Sequence, residues 1–236
     1  MQRHALAALL DAASKPYLSA GRFAYHFARG KLAGDPAYRS ILEQGFLADR
    51  VRILDLGCGQ GLLSAWLESA QRLYAQGVWP RGWPASPRPQ SVTGFELMES
   101  DVARARRALG SACGVSQGDI RATPFGSVDA VVILDVLHYM DGPAQRQVLA
   151  KVRAALPRGG LLLLRIGDAA GGLRFRYSQW VDKVIMLLRG HAWVKTHCRS
   201  VAQWVELLRE CGFDARAMPM SEGTLFANVL LIAHAV

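Results

Sequence analysis

The chain has 236 residues, 51% hydrophobic and 20% charged, with 23 glycines, 10 prolines and four cysteines. That length and apolar content suit a single domain with ample core, and exclude an intrinsically disordered chain or a collagen-like repeat. The net charge of +9, from 28 Lys and Arg against 19 Asp and Glu, is spread over scattered arginines and reads as a solvated basic surface.

Met1–Leu10 only faintly imitates a leader, because Asp11 ends its apolar stretch and a patterned helix follows; Leu6, Leu9 and Leu10 themselves have helical spacing. No apolar run approaches the ~20 residues of a membrane span. Cys58, Cys113, Cys198 and Cys211 make no Cys-x-x-Cys pair, so neither a metal site nor a disulfide framework is expected. The reading is a cytoplasmic protein, with peripheral membrane contact left open. Pro16 opens a second helix over Tyr17–Arg29, rich in aromatics, which Gly30 and Gly34 are expected to break. Asp35-Pro36 then makes a cap and first position for a third helix to about Phe46.

From Val51 the texture changes. Val51–Leu56 is a short apolar strand running directly into Gly57-Cys58-Gly59-Gln60-Gly61, with a helix over Leu62–Tyr74 behind it. Gln76–Ser91 holds prolines and two tryptophans and reads as a loop that lengthens the first crossover. Strands at Val92–Leu97, Cys113–Gln117, Val128–Leu134 and Leu161–Ile166 alternate with helices at Ser100–Leu109 and Ala144–Leu156. After Leu161–Ile166 comes a long segment, 167–199, with an amphipathic stretch at Ser178–Leu188. A helix at Val201–Cys211 and two strands, the last at Phe226–Ala233, complete the pattern. Regular strand–helix alternation predicts a parallel sheet with helices on both faces.

The loop after the first strand carries the chemistry. Glycine at a strand tip permits positive φ and lets a ligand approach the backbone, and the following helix directs unpaired N–H groups at the same space. A dinucleotide fingerprint, Gly-x-Gly-x-x-Gly, would need glycine at position 62, where Leu62 stands. This disfavours a nicotinamide oxidoreductase. The glycines run Gly-x-Gly-x-Gly instead, with Asp55 two residues ahead.

In these residues the chain resembles the class I S-adenosylmethionine-dependent methyltransferases, over Val51–Ile166 in detail and Gly212–Val236 in outline. Asp55, Gly57, Gly59 and Gly61 match that family's first motif. Glu96, in Gly94-Phe95-Glu96, matches its ribose-binding acid, although the proline and tryptophan insert puts it 41 residues after Asp55 rather than about 20. Asp119, in Gly118-Asp119-Ile120, matches its adenine-binding acid. Phe125–Val131, the stretch Asp135–Met140 and Leu156–Gly160 resemble the entry to its fourth strand, the end of that strand and the turn before its fifth. The resemblance implies a doubly wound, Rossmann-like, seven-stranded sheet, mostly parallel with the last strand antiparallel. An N-terminal helical lid (1–48), a cofactor-binding core (51–166), a cap inserted after strand five (167–199) and a C-terminal helix with a strand pair (200–236) would make a single domain. It implies S-adenosylmethionine as cofactor, with Leu97 and Ile120 packing on the adenine and Asp135 and Leu137 lining the floor near the methionine part.

Methyl transfer from an activated donor is mainly alignment, and a base is needed only where the acceptor loses its proton. His138 and Tyr139, just past the fourth strand, are the candidate catalytic pair. No Asn/Asp-Pro-Pro-Tyr tetrapeptide, Pro-Cys pair or appended RNA-binding module is present, so nucleic acid is not favoured as the acceptor. Aromatic residues in the second helix and in the cap, with Tyr25, His26, Tyr177 and Trp180 as the substrate-binding candidates, point to a small aromatic or lipid-like molecule, free or carrier-bound. O-methylation is favoured slightly over C- or N-methylation. The alternatives are an RNA or protein methyltransferase and a non-catalytic cofactor-binding regulator; the oligomeric state is open.

Overall fold

Four consecutive buried side chains, Ile53, Leu54, Asp55 and Leu56, mark β1 (Arg52–Leu56) as a strand covered on both faces, as parallel sheets require. In this computed structural model, which describes residues 2–111, 113–169, 196–220 and 228–236, six more strands accompany it. They are β2 (Ser91–Glu96), β3 (Val115–Gln117), β4 (Ala130–Leu134), β5 (Leu161–Gly167), β6 (Phe213–Pro219) and β7 (Asn228–Ala235). The sheet order is β3-β2-β1-β4-β5-β7-β6, and β7 runs antiparallel to both β5 and β6. This is the Rossmann-like, mostly parallel sheet expected from the sequence. By their contacts the residues fall into two compact units, Met1–Pro124 with Val128–Ala130, and Phe125–Ser127 with Val131–Val236.

In the first unit, β1 and β2 pair in parallel with Asp55 opposite Gly94 and Leu56 opposite Phe95. β3 pairs with β2 so that Glu96 lies opposite Gln117. The N-terminal segment forms α1 (Gln2–Ser14), a 3-10 helix (Lys15–Ala20), α2 (Arg22–Gly34) and α3 (Pro36–Glu43). Here the structure corrects the expectation in two places. The helix foreseen from Tyr17 is interrupted at Gly21, whose φ of +107° ends the 3-10 turn and starts α2 one residue later. Gly30 does not break α2, because Ala24, Ala28 and Leu32 bury one face of the helix and outweigh the ~1 kcal/mol that glycine costs relative to alanine. Asp35 caps α3 as foreseen, accepting from Ala37 N at 3.0 Å, but α3 stops at Glu43, short of Phe46.

α4 (Leu62–Ala75) follows the glycine loop, and Trp66 on it donates its indole N–H to Tyr38 O of α3 at 2.9 Å. The insert forms no helix or strand. Tyr74, Trp79 and Trp83 pack edge to face at 5.5 and 5.7 Å, Trp79 donates to Pro84 O at 2.9 Å, and Arg88 stands over the Tyr74 ring. It folds back on the end of α4, so the crossover to β2 is lengthened without moving β2 from its place beside β1. α5 (Glu99–Leu109) then leads to β3.

In the second unit, a 3-10 turn (Leu137–Tyr139) and α6 (Gly142–Ala155) follow β4. β5 is apolar throughout except for Arg165. α7 (Val201–Glu210) opens with a reciprocal capping box between Ser200 and Gln203 and buries Trp204, Leu207 and Leu208. Most of the foreseen cap, and with it Tyr177 and Trp180, lies outside the described residues.

Candidate functional site

The first unit assembles the glycine loop and the two acids expected of it. Gly57, Gly59 and Gly61 all hold positive φ (75°, 56° and 74°). A Cβ on Gly59 would meet nothing within 4 Å, so the backbone lies open to a ligand there. The loop is tied to β2 at several points. Phe95 O accepts from Gly57 N at 2.8 Å and from Cys58 N at 3.2 Å, and Glu96 Oε2 accepts from Gly59 N at 2.9 Å. The other Glu96 oxygen accepts from Met98 N at 2.9 Å. Glu96 thus stands beside the loop despite the long insert between them in sequence.

Asp55 is buried beneath the loop, 4% exposed. Burial, with a smaller contribution from the negative charge of Glu96, pushes its carboxyl up to about 7. Two carboxyl groups thus share a poorly solvated space, which favours a cationic ligand; the sulfonium and ammonium groups of S-adenosylmethionine fit that charge, and its ribose diol fits a two-oxygen acceptor such as Glu96. A pH dependence follows. Asp55 holds its proton in the cofactor-free fold at pH values where the unfolded chain has released it, so that fold loses stability as pH rises from about 4 to about 7. A cationic ligand favours the ionised form, so cofactor affinity is expected to fall as pH drops below about 7, by up to about ten-fold per pH unit. Titration calorimetry in buffers of different ionisation enthalpy should show proton release on binding, and Asp55→Asn should remove it.

Asp119 follows β3. Its carboxylate is held by Arg121, with Nε at 2.9 Å from both oxygens, while Ile120 is buried and Leu97 is 59% exposed. Gly118 N donates to Glu96 O at 2.9 Å, which ties this turn to the end of β2. Tyr25 and His26 sit on α2, ring against ring at 5.2 Å, with His26 exposed.

Several supporting residues were not foreseen. Tyr17 is fully buried and donates its hydroxyl to Gln60 O at 2.8 Å, latching the N-terminal segment onto the glycine loop. Burial drives the Tyr17 phenol well above its ordinary range, so it is a fixed donor. Gly94 leaves room for Cys58, whose Sγ would lie 2.7 Å from a Cβ there. A glycine in a strand facing a glycine loop is a signal of close backbone approach, and is the one hint the sequence carried.

In the second unit, Asp135, Leu137, His138 and Tyr139 share the turn after β4. Asp135 has φ +60°, unusual for a residue other than glycine. Arg165, 1% exposed on β5, pairs bidentately with it: Nε lies 2.7 Å from Oδ1, and Nη2 pairs with Oδ2. Leu137 is buried. Burial lowers His138 to about 4, so the imidazole is neutral at pH 7, and its buried Nε2 has no hydrogen-bond partner among the described residues. Its ring leans on Tyr139 at 4.0 Å. The fully buried Gln145 of α6 holds this turn. Its Nε2 lies 3.1, 3.0 and 2.9 Å from the carbonyls of Leu137, Met140 and His197, and its Oε1 accepts from Arg199 at 2.8 Å.

Residues 53–160 match the family model described as a methyltransferase domain. The chain is 31% identical over 140 residues to the carboxy-S-adenosyl-L-methionine synthase of Chromohalobacter salexigens, covering 55% of this chain and 47% of that protein. It is 33% identical over 149 residues to the ribosomal RNA small subunit methyltransferase C of the same organism, covering 58% of this chain and 39% of that one. The chain thus spans less than half the length of these two curated relatives. Among solved structures, magnesium protoporphyrin IX methyltransferase from Synechocystis PCC 6803 with bound SAH shares the fold at a TM-score of 0.59 and 18% identity, over 91% of this chain and 88% of that one.

Proposed function

Because residues 53–160 are a methyltransferase domain of the class I S-adenosylmethionine-dependent family, we propose that this chain transfers a methyl group from S-adenosylmethionine to a small aromatic or lipid-like acceptor, oxygen being favoured over carbon or nitrogen. The observation that carries the reading is the open backbone at Gly59, flanked by Glu96 and lying over the buried Asp55. Asp55, Gly57, Gly59, Gly61 and Glu96 hold the cofactor, and Leu97, Asp119 and Ile120 meet its adenine. When bound, the cofactor supplies a sulfonium-activated methyl group, so the protein's own work is to align the acceptor and exclude water.

His138 and Tyr139 act on the acceptor. A neutral imidazole with an unpartnered nitrogen suits a hydrogen bond from an acceptor hydroxyl, and its low basicity makes it an orienting group rather than a store for the released proton. Tyr25 and His26 contribute an aromatic wall of the acceptor space; Tyr177 and Trp180, the other candidates, lie outside the described residues. An RNA acceptor is the second reading, favoured by the net charge of +9 and by the similarity to a ribosomal RNA methyltransferase.

Incubation with isotopically labelled S-adenosylmethionine and fractionated lysate decides between them. Label in a small molecule supports the proposal, label in RNA or protein replaces the acceptor, and no labelled product refutes catalysis. With the substrate in hand, His138→Ala and Tyr139→Phe should each lower kcat about ten-fold or more, the loss of one oriented hydrogen bond. Near-normal turnover in both removes them from the site.

A further inference from the structure

Two exposed apolar side chains of the first unit lie where the 3-10 helix, the start of α2 and α5 meet. Leu18, within the 3-10 helix, is 55% exposed, and Phe23, in the first turn of α2, is 57% exposed. They stand together because Gly21 N bonds back to Leu18 O, turning the chain between them. Ser19 donates to Arg107 O of α5 at 2.9 Å, which brings α5 alongside, and Arg104 of α5 lies 5.1 Å over the Phe23 ring. Lys15, three residues before Leu18, and Arg22, next to Phe23, are exposed, as is Arg107, whose carbonyl accepts from Ser19. Asp101, the acid of α5 paired with Arg104, is buried.

We propose that this patch docks the protein on an anionic lipid bilayer, with Leu18 and Phe23 entering the interface and Lys15, Arg22 and Arg107 meeting the headgroups. Exposed apolar tips ringed by cations are what an interfacial anchor needs, since apolar burial and attraction to anionic lipid add to each other. Nucleic acid has the same charge requirement but a different use for the aromatic group. A base stacking on Phe23 would have to displace Arg104, and Leu18 offers a phosphate or a base nothing. No helix among the described residues is long and apolar enough to cross a membrane, so the attachment is peripheral. This inference goes beyond methyl transfer and does not depend on it.

The test is co-sedimentation of the full chain with vesicles of phosphatidylcholine, alone or mixed with phosphatidylglycerol. Binding to the mixed vesicles, weak on phosphatidylcholine alone and falling with added salt, is expected. The double variant Leu18→Ser/Phe23→Ser should bind about ten-fold more weakly. Arg22→Glu/Arg107→Glu should lose the preference for phosphatidylglycerol, while Val51→Ser, another exposed apolar position, should bind like the parent. All four substituted patch residues are exposed, and matching melting curves separate lost binding from lost folding. Failure to bind mixed vesicles overturns the proposal, as does undiminished binding by the Leu18/Phe23 double variant. Retention on single-stranded RNA without vesicle binding overturns it in favour of nucleic acid.

Discussion

Glu96→Ala is expected to abolish the stabilisation of this protein by S-adenosylmethionine. In the parent, cofactor at about 100 times its Kd should raise the unfolding free energy by about 2.7 kcal/mol, readily visible as a thermal shift. Two losses combine in the variant. The ribose diol loses its two-oxygen acceptor, and Gly59 N and Met98 N each lose the separate carboxylate oxygen to which they donate at 2.9 Å. Hydrogen bonds to a charged group contribute about 1.5–3 kcal/mol, so affinity should fall by about 100-fold from the cofactor contact alone. The cofactor-free protein should also melt earlier. Glu96→Gln separates the two effects, because its single carbonyl oxygen still accepts one backbone N–H but no longer accepts at both positions. A parent-like cofactor shift in Glu96→Ala would remove Glu96 from the binding site.

The second large effect is expected at Asp135. Its pair with Arg165 is asymmetric: the guanidinium is 1% exposed, whereas the Asp135 side chain is 33% exposed. Asp135→Ala takes the carboxylate away from a buried cation and should destabilise the protein by about 3 kcal/mol or more in urea unfolding. Arg165→Met leaves a carboxylate that water can partly reach, in a volume a methionine fills, and should be the milder change. Backbone conformation adds a further distinction. Alanine at φ +60° carries left-handed strain of about 1–2 kcal/mol, which glycine escapes, so Asp135→Gly should be less destabilising than Asp135→Ala. Equal losses in all three variants would show that neither the buried charge nor the strained backbone governs stability there.

These two sites differ in how far the sequence announced them. Glu96 was legible because its strand, its Gly94-Phe95-Glu96 context and the glycine loop form an ordered series of motifs, and the insert changed only the spacing. Asp135 was legible as a residue at the end of a strand, but its pairing with the buried Arg165 was not. Arg165 sits in the strand run Leu161–Ile166, where nothing local marks it as paired; in the structure it is among the most buried large side chains. The contacts of Tyr17 and Gln145 were invisible for a similar reason. Tyr17 and Gln60 are 43 residues apart, and Gln145 and Arg199 are 54 apart. Nothing in local periodicity encodes such pairings.

Local chemistry therefore determined the elements: β-branched and leucine-rich runs made the strands, Asp35-Pro36 started α3, and glycines at a strand tip made a loop open to a ligand. Tertiary structure decided which polar groups are solvated and which are buried with a partner. It let α2 run through Gly30 on the strength of a packed face, pushed Asp55 up to about 7, and left His138 neutral with a bare nitrogen. The physical reason is range. Backbone propensity is settled within a few residues, whereas desolvation and charge depend on whatever the folded chain brings into contact from far along the sequence.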